Sequence, residues 1–132
     1  MQATSPTGAL TGMRVVIADD EVLARARLRG LLADHEYVQV VAEADSGQAA
    51  IAACREHAPD VVLLDIAMPG MDGLTAAREL ATLDPAPAVV FCTAYDAHAL
   101  SAFEAAALDY LMKPIRAERL ASALARVRTY MA

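Results

Sequence analysis

The chain has 132 residues, of which 57% are hydrophobic and 21% charged, and its formal net charge is −6. This length fits one domain, and so apolar a composition excludes a disordered chain. The acidic balance argues against nucleic-acid binding by this chain, because phosphate neutralisation needs clustered Lys and Arg, and no segment approaches the roughly 18 uninterrupted apolar residues of a membrane span.

Residues 1–12 read MQATSPTGALTG. The segment has neither the basic start nor the apolar core of a secretory signal, and its Thr, Ser, Pro and Gly content is typical of a flexible leader. Residues 13–132 are expected to form a single domain.

Short, nearly continuous apolar runs alternate with helical stretches along this domain. The runs, predicted as strands, are Met13–Ala18, Val38–Ala42, Val61–Leu64, Ala88–Cys92 and Leu108–Met112. Continuous rather than alternating apolar runs are typical of parallel strands covered by helices on both faces. A helical stretch follows each run, so the sequence predicts an α/β fold with a doubly wound, five-stranded parallel sheet and five helices.

Polar side chains stand where the predicted strands end. Asp19 and Asp20 follow the first strand, Asp65 the third, Thr93 the fourth and Lys113 the fifth. In a doubly wound sheet ligands bind beyond the carboxyl ends of the strands, so we expect these side chains to converge in one shallow pocket. Each alone has a plainer interpretation, as a helix cap or a surface turn. Their shared position favours a site.

The predicted site has a definite chemistry. Three close carboxylates repel one another unless a cation joins them, and oxygen ligands with room for water and phosphate suit Mg²⁺. A carboxylate that the metal does not need could act as a nucleophile towards phosphorus. Lys113 would then place a point charge on a phosphate oxygen, and Thr93 would donate a hydrogen bond to another.

The residues that carry this chemistry lie in segments with a recognisable pattern. The segments are VIADDE at 16–21, LLDIAMPGMDG at 63–73, Thr93-Ala94, and YLMKP at 110–114. Together they resemble the response regulator receiver family of two-component systems, over about residues 13–132. The resemblance implies a flavodoxin-like receiver fold with strand order 2-1-3-4-5.

The resemblance also implies a role for each acidic position. Asp65 would be the phosphoacceptor, and Asp20 and Asp65 would bind Mg²⁺ directly. The backbone carbonyl of Ala67 would be a third protein ligand, and Asp19 would act close by or through water.

Further roles follow for the residues on the other strands. Thr93 and Lys113 would contact the phosphoryl group, and Thr93 and Tyr110 would form the conformational switch. The bond between Lys113 and Pro114 would be cis. Such a domain catalyses only its own phosphorylation and dephosphorylation, so it is not expected to be an enzyme acting on a metabolite.

The implied partner is a sensor histidine kinase in the cytoplasm. A homodimer could form through the fourth predicted helix, the fifth strand and the fifth helix, although a solvated face explains the charges there as well. Those charged residues are Arg116, Glu118, Arg119, Arg126 and Arg128.

Softer features are most similar to the LytR/AlgR branch of the family. They lie at residues 18–25, 91–96, 99–103 and 109–111. Members of that branch usually carry a C-terminal LytTR DNA-binding domain, and this sequence ends at Ala132, where the fifth predicted helix ends. The chain is therefore expected to be either an excised receiver or a stand-alone regulator that acts by protein–protein interaction.

Other functions fit the residues less well. A small phosphohydrolase with an aspartyl nucleophile usually has a second Asp two residues later, where this sequence has Ala67. A flavin- or nucleotide-binding module would want a Gly- or Ser/Thr-rich loop after the first strand, and Asp19-Asp20-Glu21 would repel phosphate without a metal. A degenerate receiver that serves only as an interaction module is disfavoured by the complete set of site residues.

Overall fold

The computed structural model describes residues 12–94 and 107–131, which form one parallel sheet with helices on both faces. The sheet has five strands in the order β2-β1-β3-β4-β5, as the family resemblance predicted. The strands are β1 (Met13–Ala18), β2 (Val38–Ala44), β3 (Val61–Leu64), β4 (Ala88–Thr93) and β5 (Asp109–Met112).

The described residues contain four helices, namely α1 (Val22–Leu32), α2 (Gly47–His57), α3 (Gly73–Leu80) and α4 (Ala117–Met131). The prediction had five. The predicted helix between β4 and β5 falls on residues 95–106, outside the described residues, so α4 corresponds to the fifth predicted helix. Most of the predicted leader, residues 1–11, is also outside them. Across the described ranges, no helix combines the length and the apolar character needed to cross a membrane.

Alternate residues of the central strands enter two separate cores, one on each face of the sheet. Val15 and Ile17 of β1 belong to the core beneath α1 and α4, whereas Val16 and Ala18 belong to the core beneath α2 and α3. Both sets are at most 1% exposed. A strand covered on both faces has no reason to alternate polar and apolar residues, which explains the continuous apolar runs in the sequence.

The strand predictions hold best in the centre of the sheet, where β3 and β4 are buried along their whole length. β1 and β3 have the predicted bounds, and all four residues of β3 are buried. β2 continues to Ala44, β4 includes Thr93, and β5 begins at Asp109 rather than Leu108.

The pairing register brings the carboxyl ends of four strands side by side. Ala18 of β1 pairs with Leu64 of β3, Leu64 pairs with Phe91 of β4, and Thr93 pairs with Met112 of β5. The residues that follow these positions therefore emerge at the same edge of the sheet.

Side-chain caps start two of the helices that begin at this edge, α2 and α3. The Ser46 hydroxyl accepts a hydrogen bond from the Ala49 N–H at 3.1 Å, and the Asp72 carboxylate accepts one from the Thr75 N–H at 2.8 Å. Each cap satisfies a backbone donor that the helix leaves without an intrahelical partner.

Candidate functional site

Backbone hydrogen bonds tie the site residues to the edge of the sheet. The Asp19 N–H donates to the Ala44 carbonyl at 3.0 Å, and the Asp65 N–H donates to the Ala18 carbonyl at 2.9 Å. The Lys113 N–H donates to the Thr93 carbonyl, also at 2.9 Å. Each residue thus extends the ladder of a strand by one step, which sets where its side chain starts.

Three carboxylates meet at this edge. Asp19, Asp20 and Asp65 each offer a carboxylate oxygen within 4.8 Å of the others. Asp19 and Asp65 are buried, with exposed fractions of 1% and 5%, whereas Asp20 is exposed. The convergence that the sequence predicted for these acids is present in the structure.

The Lys113 ammonium lies between the two buried acids. Its Nζ is 2.7 Å from Asp19 Oδ2 and 3.2 Å from Asp65 Oδ2, and 3.5 Å from the exposed Glu21 carboxylate. Burial alone would lower the pKa of Lys113, but the hydrogen bond to Asp19 and the negative charges of Asp65 and Asp19 outweigh it and raise the pKa. Lys113 therefore carries a fixed positive charge.

Asp65 is held at both carboxylate oxygens. Oδ2 faces Lys113, and Oδ1 accepts a hydrogen bond from the Ala67 N–H at 3.3 Å. Burial raises the pKa of Asp65, the charge of Lys113 lowers it, and the charge of Asp19 raises it, with a net upward shift. Three carboxylates, those of Asp19, Asp20 and Asp65, share this one ammonium, so the site is short of positive charge even with Lys113 in place.

Every oxygen of Asp19 accepts a hydrogen bond. Its Oδ1 accepts from the Glu21 N–H at 2.9 Å, its Oδ2 accepts from Lys113, and its main-chain carbonyl accepts from Arg25 at 2.6 Å. Asp20 points outward beside this buried residue. The all-oxygen cluster and its deficit of positive charge fit a hard divalent cation such as Mg²⁺, to which the exposed Asp20 and the buried Asp65 could each offer a carboxylate oxygen.

Gly73 packs directly against the backbone of Asp65 and Ile66. A Cβ at this position would lie 2.2 Å from the Asp65 carbonyl oxygen and 2.7 Å from Ile66 Cα. The Gly73 N–H also donates to the Ile66 carbonyl at 2.8 Å. In the sequence this glycine stands out only as part of the motif at residues 63–73, because a close approach between backbones leaves no other signal in a single sequence.

The remaining predicted residues lie on β4, on β5 and in the loops that follow β3 and β5. Thr93 is buried at the end of β4, and Tyr110 is half-buried with its ring centroid 5.9 Å from that of Phe91. The Lys113–Pro114 bond is cis, as the resemblance implied. Ala67 is exposed, directly beyond Asp65 and Ile66.

Charges on the predicted dimer face are partly engaged within the chain. The Arg119 guanidinium contacts both carboxylate oxygens of the buried Asp109, at 2.6 and 3.1 Å, and donates to the Tyr110 carbonyl at 2.8 Å. The Arg128 guanidinium carbon lies 4.4 Å from the centre of the Tyr37 ring. These two arginines therefore have partners before any second copy is present.

Comparison with known families agrees with this geometry. Residues 15–125 match the response regulator receiver domain family. A solved REC domain of AraT, a response regulator from Geobacillus stearothermophilus, is 32% identical and superposes with a TM-score of 0.78, covering 90% of this chain and 95% of that one.

Full-length relatives point to one branch of the family. The positive alginate biosynthesis regulatory protein of Pseudomonas aeruginosa is 48% identical over 85% of this chain and 46% of its own length. The sensory transduction protein LytT of Bacillus anthracis is 40% identical over 88% of this chain and 47% of its own length. The chain thus spans about half the length of these curated relatives. It belongs to the response regulator receiver domain family of two-component systems, and it is most similar to the LytR/AlgR branch.

Proposed function

We propose that the domain accepts a phosphoryl group on Asp65 from a sensor histidine kinase, with Mg²⁺ bound at Asp20, Asp65 and the Ala67 carbonyl. The observation that carries this proposal is the convergence of three carboxylates within 4.8 Å of one another, together with Lys113, at one edge of the sheet. Asp19 and Lys113 are buried or half-buried there, so their charges act in a region of low dielectric.

The transfer is a displacement at phosphorus. A carboxylate oxygen of Asp65 forms the new P–O bond while the P–N bond of the donor phosphohistidine breaks, and the electron pair of that bond leaves with the imidazole nitrogen. Bound Mg²⁺ would offset the negative charge that collects on the phosphoryl oxygens. The chain contributes mainly position and electrostatics, which are the main sources of catalysis in phosphoryl transfer.

Lys113 and Asp19 have complementary parts in this step. Lys113 supplies a positive charge 3.2 Å from Asp65 Oδ2, from where it would turn to an incoming phosphoryl oxygen. Asp19 holds the ammonium at 2.7 Å and thereby keeps it at the site in the unphosphorylated state. Asp19 would meet the metal only nearby or through water.

Thr93 and Tyr110 form the proposed switch. A phosphoryl oxygen on Asp65 would draw in the Thr93 hydroxyl, and the space left behind would be taken by the Tyr110 ring. The proposal is supported by the stacking of Tyr110 on Phe91, which belongs to β4 like Thr93 and to the core on that face of the sheet. The result is a shift between two conformations of the β5–α4 face.

The relatives support a proposal for the output of the switch. We infer that the chain regulates transcription in the cytoplasm through a LytTR-type DNA-binding domain, with a homodimer formed on the β5–α4 face. An alternative is a single-domain receiver that acts by protein–protein interaction. The first assignment is favoured by relatives about twice as long as this chain, one named for regulation of alginate biosynthesis.

Incubation with acetyl phosphate tests the chemistry. The protein is treated with and without Mg²⁺ and measured by intact mass, hydroxylamine lability and peptide mapping. We expect a Mg²⁺-dependent gain of one phosphoryl group on Asp65, absent from Asp65→Asn and retained in the matched control Asp34→Asn, an exposed acid on another part of the surface. Full, acid-labile phosphorylation of Asp65→Asn would refute the assignment.

A further inference from the structure

Helix α1 reaches both loops of the site with arginine side chains that the proposed mechanism does not use. Arg25 donates from its guanidinium to the main-chain carbonyl of Asp19 at 2.6 Å. Its Nε also lies 3.3 Å from Glu43 Oε1 on the edge strand β2, and the side chain is 17% exposed. The carbonyl that Arg25 binds belongs to the peptide unit that joins Asp19 to Asp20.

Arg27 makes the corresponding contact on the other side. Two guanidinium nitrogens of Arg27, Nε and Nη2, donate hydrogen bonds to the carbonyl of Ile115, and the bond from Nε is 3.2 Å long. Ile115 is buried, with 3% exposure, and follows the cis Lys113–Pro114 unit directly. Arg27 therefore fixes the end of the short loop whose first residue carries the site ammonium, across a sequence separation of 88 residues.

We propose that Arg25 and Arg27 are positioning residues for phosphoryl transfer, which hold the Asp19–Asp20 and Lys113–Ile115 loops at a set separation from one helix. The inference rests on the proposed function, since it concerns the same site. Neither arginine touches the reacting atoms. Arg25 acts on the metal side through the backbone that presents Asp20, and Arg27 acts on the phosphoryl side through the backbone that presents Lys113.

The geometry explains why one helix is suited to this task. β1 and β5 are not neighbours in the sheet, because β3 and β4 lie between them. The strand pairing does not join their loops directly, whereas α1 packs in the same core as α4 and contacts both loops through Arg25 and Arg27. A charged donor bound to a carbonyl is among the stronger hydrogen bonds in proteins, so each contact restrains its loop.

Arg29 supplies a matched control on the same helix. It is exposed and binds the Glu43 carboxylate at 2.7 and 2.8 Å, but among the described residues it contacts neither site loop. Arg29→Gln therefore reports the cost of losing an α1 arginine that pairs with β2. Glu43→Gln removes the carboxylate that pairs with both Arg25 and Arg29. It keeps the Arg25 contact to the Asp19 carbonyl.

The metal arm measures binding of Mg²⁺ by isothermal titration calorimetry with the full chain. We expect Arg25→Gln to weaken the affinity about fivefold, while Arg27→Gln, Arg29→Gln and Glu43→Gln leave it near the wild-type value. Arg25→Lys keeps a charged donor and should recover part of the loss. An Arg25→Gln affinity equal to that of Arg29→Gln would overturn the role of Arg25.

The phosphoryl arm measures the rate of acetyl phosphate labelling at saturating Mg²⁺. We expect Arg27→Gln to lower this rate about tenfold with unchanged Mg²⁺ affinity, and Arg27→Lys to restore part of it. Arg29→Gln should match the wild type, and thermal unfolding of all variants checks that they are folded. A rate for Arg27→Gln equal to that of Arg29→Gln would overturn the role of Arg27.

The two arms also separate this inference from the proposed function. Wild-type protein that binds Mg²⁺ but gains no phosphoryl group would refute the proposed function, and the role of Arg27 would fall with it. The metal arm would still decide the role of Arg25. Phosphorylated wild type with unaffected arginine variants would leave the proposed function standing and refute the positioning role alone.

Discussion

The Lys113 ammonium lies 2.7 Å from the Asp19 carboxylate, a residue 94 positions away in the sequence. The two residues extend strands that are not neighbours, since β3 and β4 separate β1 from β5. The ion pair therefore crosses the site above the end of β3, where Asp65 emerges. The ion pair keeps the Lys113 ammonium beside Asp65, the acid that must be ionised in the proposed mechanism.

This pairing predicts slow chemical labelling of Lys113. Lys113 is the only lysine in the sequence, so an amine reagent reports on it and the chain terminus alone. Its pKa is raised, so the amine stays protonated at a pH where an ordinary lysine begins to lose its proton. Peptide mapping after trinitrobenzenesulfonate treatment near pH 10 should show much slower modification in the folded than in the urea-unfolded protein.

Asp19→Asn is the matched test of the cause. Loss of the closest carboxylate should lower the pKa of Lys113 and increase its labelling rate, whereas Asp34→Asn should leave the rate unchanged. Equal labelling of folded and unfolded wild type would contradict the pairing.

Added Mg²⁺ should stabilise the folded protein. A ligand that binds only the folded state at about ten times its dissociation constant contributes about 1.4 kcal/mol to the free energy of unfolding. Urea unfolding followed by circular dichroism measures this, because the chain contains no Trp for fluorescence. Asp20→Asn should lose most of the stabilisation, and Asp34→Asn should keep it. An equal response of the two variants would contradict the metal site.

Two glycine-to-alanine substitutions should change stability in opposite directions. Gly73→Ala should lower the free energy of unfolding by at least about 2 kcal/mol, because its Cβ would lie 2.2 Å from the Asp65 carbonyl oxygen and force the backbone apart. Gly30→Ala, within α1, meets no atom within 4 Å and should raise stability by about 0.5–1 kcal/mol. The same unfolding assay applies, and a loss in Gly30→Ala as large as in Gly73→Ala would disprove the close-contact explanation.

The pair of Asp109 and Arg119 should contribute stability that depends on pH. Burial alone would raise the pKa of Asp109, but hydrogen bonds from Arg119 and the Tyr110 N–H lower it overall. A depressed carboxyl pKa stabilises the fold at pH values above the ordinary carboxyl pKa, and this contribution is lost as the pH falls through the lower, folded value.

Asp109→Asn should therefore lower the free energy of unfolding by about 1–3 kcal/mol at pH 7, with a smaller difference from wild type at acid pH. Arg119→Gln should show the same trend, and the double variant should be less than additive because the residues are in contact. A difference independent of pH would show that the pair is not ionised in the folded protein.

Much of this molecule follows from its sequence. The apolar runs predicted β1 and β3 with their observed bounds, because strands covered by helices on both faces are largely apolar, with the exposed Arg14 of β1 as the exception. Parallel strands also share one carboxyl edge, so the acids and the lysine that follow these runs had to approach one another. The sequence was less precise at Asp109, since it does not reveal that Arg119 would let a charged residue begin β5 inside the fold.

The tertiary structure alone decided how the converged groups differ. Asp19 and Asp20 are adjacent and chemically identical in the sequence, yet one is buried and bound at every oxygen while the other is exposed. The contacts of Arg25 and Arg27 are equally hidden, because their partners are backbone carbonyls, which every residue possesses. Hydrophobic periodicity records which side chains are buried, whereas a bond to a carbonyl or a close approach of two backbones depends on where the folded chain places them.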